Sequence, residues 1–391
     1  MPWKSKSQVE QRLDLVRQMA AGQLAVSELC RRFKISRQTA YKWFRRYRQK
    51  RLPGLQERSR RPRSLAAQTT GRWLRRLRQM RRRRPTWGAR KLRYTLLARF
   101  GKRGAPSTPT INRWLQRWGL SRGRRRRPRG PLIERGPIQK PRRCHEVWTV
   151  DFKGWYRTGD GTRVEPLTVR ELKSRYGLAI RLLRTQALGP VRKVFQRLFR
   201  RHGRPRRIRC DNGTPFGGGG PTGLTRLSAW WVKQGIEVEF ITPGRPGENG
   251  AHEQFHRVYK AEVAAQPAQT LGAQQRRTDR WLRHYNQERP HEALGMKTPA
   301  QVFKKNGRRG IQKIEPWNYP RGWARCWVKG NGEISWRGKR RYVGEALVRD
   351  YVGLKPSGPG RWRVYFGPLL VGELRAKEVG SIRMAKYARR R

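Results

Sequence analysis

The chain carries 95 lysine and arginine residues against 25 aspartate and glutamate residues, a formal net charge of +70 at pH 7. A chain of this charge repels itself strongly unless a polyanion neutralises it. Nucleic acid is the polyanion that fits best, and the charge exceeds what a solvated basic surface requires. With 391 residues, the chain is long enough for two to four domains of ordinary size. We therefore predict a multidomain protein that binds nucleic acid.

Hydropathy and cysteine usage argue against other classes. The sequence contains no run of about 18 apolar residues and no signal-peptide core, so we expect a soluble, cytoplasmic protein with no membrane role. The cysteines form no CxxC pair and indicate reduced thiols without a disulfide framework. They are Cys30, Cys144, Cys210 and Cys326. His252 and His256 have helical spacing, but no second pair completes a structural zinc site.

Residues 1–55 have the pattern of a helical DNA-binding module. Apolar residues recur at helical spacing in three short segments, Gly22 ends the first helix, and Ser36 is a good N-cap for the third. Two short helices before an arginine-rich helix are typical of a helix-turn-helix. The predicted DNA contacts are Arg37, Gln38, Lys42, Arg45 and Arg46. An ordinary three-helix bundle with a basic face is the alternative.

Residues 67–122 repeat this pattern after a proline- and arginine-rich linker at 56–66. A basic amphipathic helix ends before Pro85, and Ser107 caps a later one. We predict a second helix-turn-helix, winged or plain. Its predicted DNA contacts are Arg90, Lys91, Asn112, Arg113 and Arg117. A basic linker rich in proline and glycine follows at 123–143 and is expected to be extended.

The apolar pattern of residues 144–303 predicts strands and helices in the order β-β-β-α-β-α-β-α. Strands are expected at 147–152, 163–169, 176–183, 207–210 and 238–241. Helices are expected at 191–202, at 228–234 and from about residue 250. This pattern favours a mixed sheet with helices packed on it. A loop rich in proline and glycine at 243–247 precedes the last helix.

Three acidic residues stand at the ends of these elements. Asp151 ends an apolar strand, Asp211 follows another, and Glu253 lies in the first turn of a helix. Alone, each has a plainer role, as a sheet-edge charge, a turn residue or a partner of the helix dipole. Open α/β sheets place their active sites at such positions, and divalent cations take oxygen ligands. Together, in a DNA-binding chain, the three indicate two-metal phosphoryl transfer.

Four segments resemble the retroviral-integrase-like DDE transposases of bacterial insertion sequences: VWTVDF, RCDNGTPF, PGRPGENGAHEQFHR and YNQERPHEALGMKTPAQVF. The resemblance implies that Asp151, Asp211 and Glu253 are the catalytic, metal-binding triad of an RNase H-like core. It also implies two Mg²⁺ or Mn²⁺ ions, partners in transposon-end and target DNA, a dimer or tetramer on DNA, and association with the bacterial nucleoid. In two departures, the stretch between Asp211 and Glu253 is longer than in many members, and the segment VRELKSRY is more basic.

This chemistry predicts that the protein hydrolyses a phosphodiester bond at each end of the transposon. The exposed 3′-hydroxyl then attacks target DNA. Asp151 and Asp211 are expected to share one metal ion, and Asp151 and Glu253 to hold the other. His256 and Arg257 flank the start of the Glu253 helix and are the predicted contacts to DNA phosphate; a solvated position on the helix face is the alternative for His256. Two alternatives remain open: a catalytically inactive DNA-binding repressor, and an RNase H-like nuclease that cuts without joining.

The pattern at 321–376 predicts five or six short strands, which follow a linker at 304–320. Residues 377–391 are expected to form a basic tail. The strands favour a small barrel similar to the SH3-like C-terminal domain of integrases, whose arginine and tryptophan content suits contacts with the DNA backbone. A protein-interaction barrel is the alternative. The predicted fold class is thus multidomain α/β, with N-terminal helix-turn-helix domains, an RNase H-like catalytic core and a C-terminal SH3-like β-barrel.

Overall fold

The structure is a computed structural model that describes residues 6–58, 71–121, 141–242, 249–305, 307–308, 310–311 and 313–385. The chain divides into two compact units, Met1–Gln68 and Thr69–Arg391. Most of the predicted linkers at 56–66 and 123–143, the whole loop at 243–247 and the last six residues of the predicted tail lie outside the described residues. Within the described ranges, no helix is both long enough and apolar enough to cross a bilayer.

Within residues 6–58, the first unit contains three helices: α1 Gln8–Ala21, α2 Val26–Phe33 and α3 Arg37–Gly54. The side chain of Ser7 caps α1, and Gly22 ends it with a left-handed φ of 68°. Ser36 caps α3 as predicted, by accepting a hydrogen bond from the Thr39 amide. Leu15, Leu29 and Ala40 form the buried centre of the unit. The predicted helix-turn-helix is confirmed.

The second unit begins with three more helices: α4 Gly71–Arg83, α5 Ala89–Phe100 and α6 Thr108–Arg117. Their apolar faces meet in a small core around Leu77, Leu92 and Ile111. Ser107 accepts a hydrogen bond from the Thr110 amide and so caps α6. This is the second predicted helix-turn-helix module.

A mixed sheet follows, with β1 at its centre. Its strands are β1 Val147–Phe152, β2 Tyr156–Arg157, β3 Arg163–Glu171, β4 Gly177–Leu183, β5 Arg207–Cys210 and β6 Glu237–Phe240. β1 pairs antiparallel with β3 and parallel with β5. β4 lies beyond β3, and β6 lies beyond β5. The short β2 is an addition to the predicted order.

Helices cover both faces of this sheet. They are α7 Leu188–His202, α8 Arg226–Lys233, α9 Gly250–Tyr259, α10 Leu271–Gln287 and α11 Pro299–Val302. α7 and α8 bury Phe195 and Trp231 against Trp148 of β1. α9 and α10 bury Phe255 and Trp281 against Ile180 of β4. Because side chains alternate along a strand, the same sheet serves both layers. The predicted RNase H-like core fold is confirmed.

The described part of the C-terminal module contains eight strands. They are β7 Ala324–Trp327, β8 Glu333–Trp336, β9 Lys339–Tyr342, β10 Tyr351–Gly358, β11 Arg361–Phe366, β12 Leu369–Arg375, β13 Gly380–Ser381 and β14 Arg383–Met384. Among the described residues they form two sheets, in the orders β14-β12-β11-β10-β7 and β13-β9-β8. The strands do not close on themselves, so the predicted SH3-like barrel is not confirmed.

Part of the predicted basic tail belongs to this module. β13 pairs with β9, and β14 pairs with β12, so the chain from residue 380 to 384 adds a strand to each sheet. Ile382 lies between them and is buried in the core of the module. Burying this one apolar side chain stabilises a segment that composition assigns to a tail.

The C-terminal module and the core built on the mixed sheet share an apolar cluster. Ala229 and Val232 on α8 pack with Val328, Leu347 and other buried residues of the C-terminal strands. Beside this cluster, Lys233 forms an ion pair of 2.5 Å with Asp350, and both side chains are largely buried. The helix α8 therefore packs on two sides, with the sheet on one and the C-terminal module on the other.

Candidate active site

Asp151 and Asp211 lie at the ends of neighbouring parallel strands. The β1–β5 register pairs Trp148 with Ile208 and Thr149 with Arg209. Asp151 and Asp211 each follow two residues after the Thr149–Arg209 pair. In a parallel pair, residues in register point to the same side of the sheet. The sheet thus brings together two carboxylates that are distant in sequence.

Burial raises the pKa of both carboxyl groups, and repulsion from neighbouring negative charges raises that of Asp151 further. Burial is the larger cause for Asp151, and the negative charge of Asp211 is the next, with a smaller contribution from Glu253; together they raise the Asp151 pKa to about 7. Burial likewise raises the pKa of Asp211. The Asp211 Oδ1 atom is buried and has no hydrogen-bond partner among the described residues. These properties suit a site that binds a hard divalent cation through oxygen atoms.

Glu253 lies in the first turn of α9 and is exposed. It is near enough to Asp151 to raise the pKa of that carboxyl group. In the described parts of the chain, however, no three histidine, cysteine, aspartate or glutamate side chains are grouped so that they could hold a metal ion. The structure therefore unites two members of the predicted triad and leaves the third at the edge of the site.

A polar network joins α9 to the strands behind Asp151. Thr168 of β3 stands opposite Asp151, and its hydroxyl lies 2.9 Å from the Asp151 carbonyl oxygen, to which it donates. The Nε2 atoms of His252 and His256 are each 2.6 Å from that hydroxyl oxygen. The Thr149 hydroxyl lies 2.8 Å from His252 Nδ1. A consistent assignment has both Nε2–H groups donating to Thr168 and Thr149 donating to His252.

The burial of His256 does not fit the predicted contact with DNA phosphate. The residue is 7% exposed, and burial lowers its pKa to about 3, so the ring is neutral near pH 7. Its Nδ1 atom lies 3.7 Å from Asp151 Oδ2. Since the ring is neutral and the distance is long, this contact is not an ion pair. Arg257, the neighbouring predicted contact, is exposed.

The predicted contacts of the first unit lie mainly on its surface. Arg37, Gln38, Lys42 and Arg45 are exposed on α3. Arg46 is half-buried, with its guanidinium carbon 4.9 Å from the centre of the Trp43 ring. The first turns of α3 thus present polar side chains to solvent, as a recognition helix requires.

The predicted contacts of the second helical module separate into two groups. Asn112, Arg113 and Arg117 are exposed on α6. On α5, by contrast, Arg90 forms a 3.0 Å ion pair with Glu292 of the core. Burial, and then the nearby charge of Arg289, lowers the pKa of Lys91 to about 8. The beginning of α5 therefore faces the core, whereas the predicted contacts on α6 are exposed to solvent.

The sequence analysis did not predict that hydroxyl and histidine side chains would form a network behind Asp151. The signals were a hydroxyl residue within each of two apolar strands, at 149 and 168, and the helical spacing of His252 and His256. The basic departure in VRELKSRY also has a structural role. Arg170 is 2% exposed, donates to the carbonyl of Ala251, and lies over the Phe255 ring at 4.7 Å. It therefore holds the start of the Glu253 helix.

Replacing Thr168 by valine is expected to destabilise the second unit by about 2–4 kcal/mol, because it leaves two buried imidazole N–H groups without an acceptor. Thr168→Ser keeps the hydroxyl group and should cost less than half as much. Chemical unfolding of both variants, followed by tryptophan fluorescence, measures the difference. A larger loss in Thr168→Ser than in Thr168→Val would show that the methyl group, rather than the hydroxyl, stabilises this region.

Comparisons with known proteins agree with this architecture. Residues 234–299 match the family described as "Integrase core domain". Residues 11–63 match a "Helix-turn-helix domain", and residues 39–115 a "Homeodomain-like domain". These three matches define a protein with an integrase core and helix-turn-helix domains.

Two similar proteins come from bacterial insertion elements. One is the "Insertion element IS407 uncharacterized 31.7 kDa protein" of Burkholderia multivorans, 28% identical over 197 residues that cover 50% of this chain and 69% of the relative. Another is the "Insertion element IS476 uncharacterized 39.2 kDa protein" of Xanthomonas euvesicatoria, 29% identical over 202 residues that cover 50% of this chain and 56% of the relative. The predicted resemblance to transposases of bacterial insertion sequences is confirmed.

Solved structures of retroviral integrases are also similar to this chain. The HTLV-2 integrase catalytic core domain in complex with magnesium covers 42% of this chain and 99% of its own, at 15% identity and a TM-score of 0.32. A simian T-cell lymphotropic virus intasome in complex with PP2A regulatory subunit B56 gamma covers 80% of this chain and 99% of its own, at 13% identity and a TM-score of 0.35.

Proposed function

We propose that this protein is a transposase that binds the inverted-repeat ends of its insertion element, cuts to expose a 3′-hydroxyl, and joins that hydroxyl to target DNA. The observation that carries the proposal is the pair of partly buried carboxylates, Asp151 and Asp211, in a chain with a net charge of +70. Two close carboxylates raise each other's energy in the absence of a cation. Such a pair is costly for structure alone and useful for chemistry on a phosphodiester.

The donor set fits Mg²⁺ or Mn²⁺, with Asp151 and Asp211 as ligands of one ion and Glu253 as the additional ligand of a second. When bound, the two ions would activate the attacking oxygen and stabilise the leaving oxygen. The chain itself holds Asp151 in place through its backbone carbonyl, which accepts from Thr168. His252 and His256 remain neutral and brace α9 against the strand. Arg257 is exposed on the same helix and is a candidate contact for a DNA phosphate.

End recognition belongs, in this proposal, to the helix-turn-helix modules. The exposed residues Arg37, Gln38 and Lys42 at the start of α3 are candidates for contacts with base edges. Asn112 and Arg113 on α6 are candidates for a second contact with DNA. Because two DNA ends must be joined to one target, we propose that the protein acts as a dimer or tetramer on DNA.

A repressor without catalytic activity is the second candidate. It is favoured by the exposed position of Glu253 and by the absence of a three-member metal-binding group among the described residues. The two proposals agree on DNA binding and differ on chemistry, so a single assay separates them.

The test is strand transfer with a labelled element end, a target plasmid and either Mg²⁺ or Mn²⁺. We expect joined products from the wild-type protein and none from Glu253→Gln. The exposed Glu288→Gln, which makes the same chemical change at the residue that follows α10, is the matched control and should retain activity within about twofold. Cutting without joining would support a nuclease. Full end binding with no metal-dependent product would support a repressor.

A further inference from the structure

The C-terminal module contains a small pocket of about 180 Å³ that the proposed chemistry does not use. It is lined by Trp336, Arg337, Lys339, Arg341, Trp362 and Ala376. An engineered protein cavity of about 150 Å³ holds a benzene ring, so this pocket can admit a planar ring of similar size. The pocket opens beside the β8–β9 hairpin and the strand β11.

The polar side chains that line this pocket are all hydrogen-bond donors. Arg341 is 3% exposed, and its buried Nε atom has no hydrogen-bond partner among the described residues. The buried Nε1 atom of Trp336 likewise has no acceptor in the described part of the chain. Among the described residues that line the pocket, none is acidic. Buried donors without acceptors are costly, and a ligand with acceptor oxygens or ring nitrogens relieves that cost.

Aromatic rings and cations meet in the same place. The Trp336 and Trp362 rings lie 5.5 Å apart at an angle of 73°. The guanidinium carbon of Arg337 lies 4.7 Å from the centre of the Trp362 ring and 5.8 Å from that of Trp336. Aromatic faces combined with arginine are the features with which proteins bind the bases of single-stranded nucleic acid.

The hairpin turn fixes Arg337 at the mouth of the pocket. Arg337 has a φ of 47°, and Gly338 a φ of 73°. A two-residue turn with both φ angles positive favours asparagine, aspartate or glycine at its first position. Arginine is disfavoured there, and unusual backbone conformations of this kind cluster at ligand sites. Lys339 follows in an exposed position, so the rim of the pocket is basic.

We infer that this pocket binds one unpaired nucleotide of a DNA strand. The base occupies the aromatic corner and accepts hydrogen bonds from Trp336 and Arg341, while the adjoining phosphate contacts Arg337 and Lys339. A base stacked within a duplex cannot enter, because its faces are covered by its neighbours, so the pocket selects unpaired strands. The inference rests on the proposed function only in taking DNA as the polyanion, and it requires no catalysis.

The test compares binding of two DNAs to the full-length protein in the presence of a chelator, which prevents cleavage. One DNA is a blunt duplex; the other is the same duplex with a short unpaired tail that contains the fluorescent base 2-aminopurine. We expect the wild-type protein to quench the fluorescence and to bind the tailed DNA about tenfold more tightly. Trp336→Ala and the double variant Arg337→Gln/Lys339→Gln should each lose both effects.

The matched control is the double variant Arg361→Gln/Arg363→Gln. These exposed arginines alternate with Trp362 on β11 and therefore point to the opposite face of the strand. The control should weaken both DNAs equally and keep the preference for the tail. If Trp336→Ala fails to fold, Trp336→Phe takes its place in the test. It keeps a ring but removes the N–H donor, so it should retain quenching with reduced affinity.

Equal affinity of the wild-type protein for tailed and blunt DNA would overturn the inference, and so would a tail preference that survives in the pocket variants. Neither result bears on strand transfer. Conversely, loss of strand transfer in Glu253→Gln with an intact tail preference concerns only the proposed chemistry.

Discussion

Asp151→Asn is expected to reduce metal-dependent DNA cleavage by about a thousandfold or more while it stabilises the metal-free protein. The loss of cleavage follows because the variant lacks a negatively charged oxygen ligand at the proposed cation site. The gain in stability follows because the wild-type carboxylate is partly buried beside Asp211. Asparagine has nearly the same shape and carries no charge.

The stability difference should depend on pH in a defined direction. The ordinary pKa of this group is 3.8, and the folded protein raises the Asp151 pKa to about 7. Between these values the folded state binds the additional proton, so the wild-type protein loses stability as pH rises from about 4 to 7. Since the side chain is 26% exposed, we expect about 1–3 kcal/mol rather than the full value that this shift implies. The difference should become constant above about pH 8.

Chemical unfolding of both proteins in a chelating buffer, at pH values from 4.5 to 8, measures this difference. The control is Asp279→Asn, since Asp279 is more than one-third exposed and pairs with Arg181 at 3.2 Å. It should change the stability by less than about 1 kcal/mol at any pH. A wild-type protein as stable as Asp151→Asn at pH 8 would show that neither burial nor the charge of Asp211 destabilises the Asp151 carboxylate in the folded state.

Glu262→Ala is expected to loosen the second helical module from the core, with a loss of about 3–5 kcal/mol. The Glu262 carboxylate lies in the π-helical turn Lys260–Ala264 that follows α9. It accepts hydrogen bonds from Trp281 Nε1 at 2.6 Å and from Arg289 Nη1 at 3.2 Å. It also accepts from the hydroxyl group of Thr86, which precedes α5. Arg289 is 5% exposed, so the variant leaves a buried charge without its partner.

Hydrogen exchange at residues 71–121, combined with chemical unfolding, would detect this loosening. The matched control is Glu292→Ala, which removes the ion pair with Arg90. That pair joins the same module to the same core, but its side chains are 69% and 50% exposed. It should contribute no more than about 1 kcal/mol. Faster exchange in both variants alike would mean that charge number, rather than the buried network, holds the module in place.

Local patterns in the sequence were enough to predict most elements of this fold. Helical spacing and cap residues such as Ser36 and Ser107 predicted the two helix-turn-helix modules, because capping and amphipathicity are properties of a few neighbouring residues. Apolar runs predicted the strands of the core for the same reason. The segment at 380–384 was misassigned because its strands are very short and depend on pairing with distant partners.

The sequence by itself determined the order of the modules, the basic character of the chain and the positions of Asp151, Asp211 and Glu253 at the ends of elements. Only the tertiary structure decided which side chains meet. Strand register brings Asp151 beside Asp211, and packing of α9 buries His256 beneath Thr168 while leaving Glu253 exposed. Packing also joins α8 to the C-terminal strands. The physical reason is that periodicity is local, whereas register and burial depend on residues far apart in the chain.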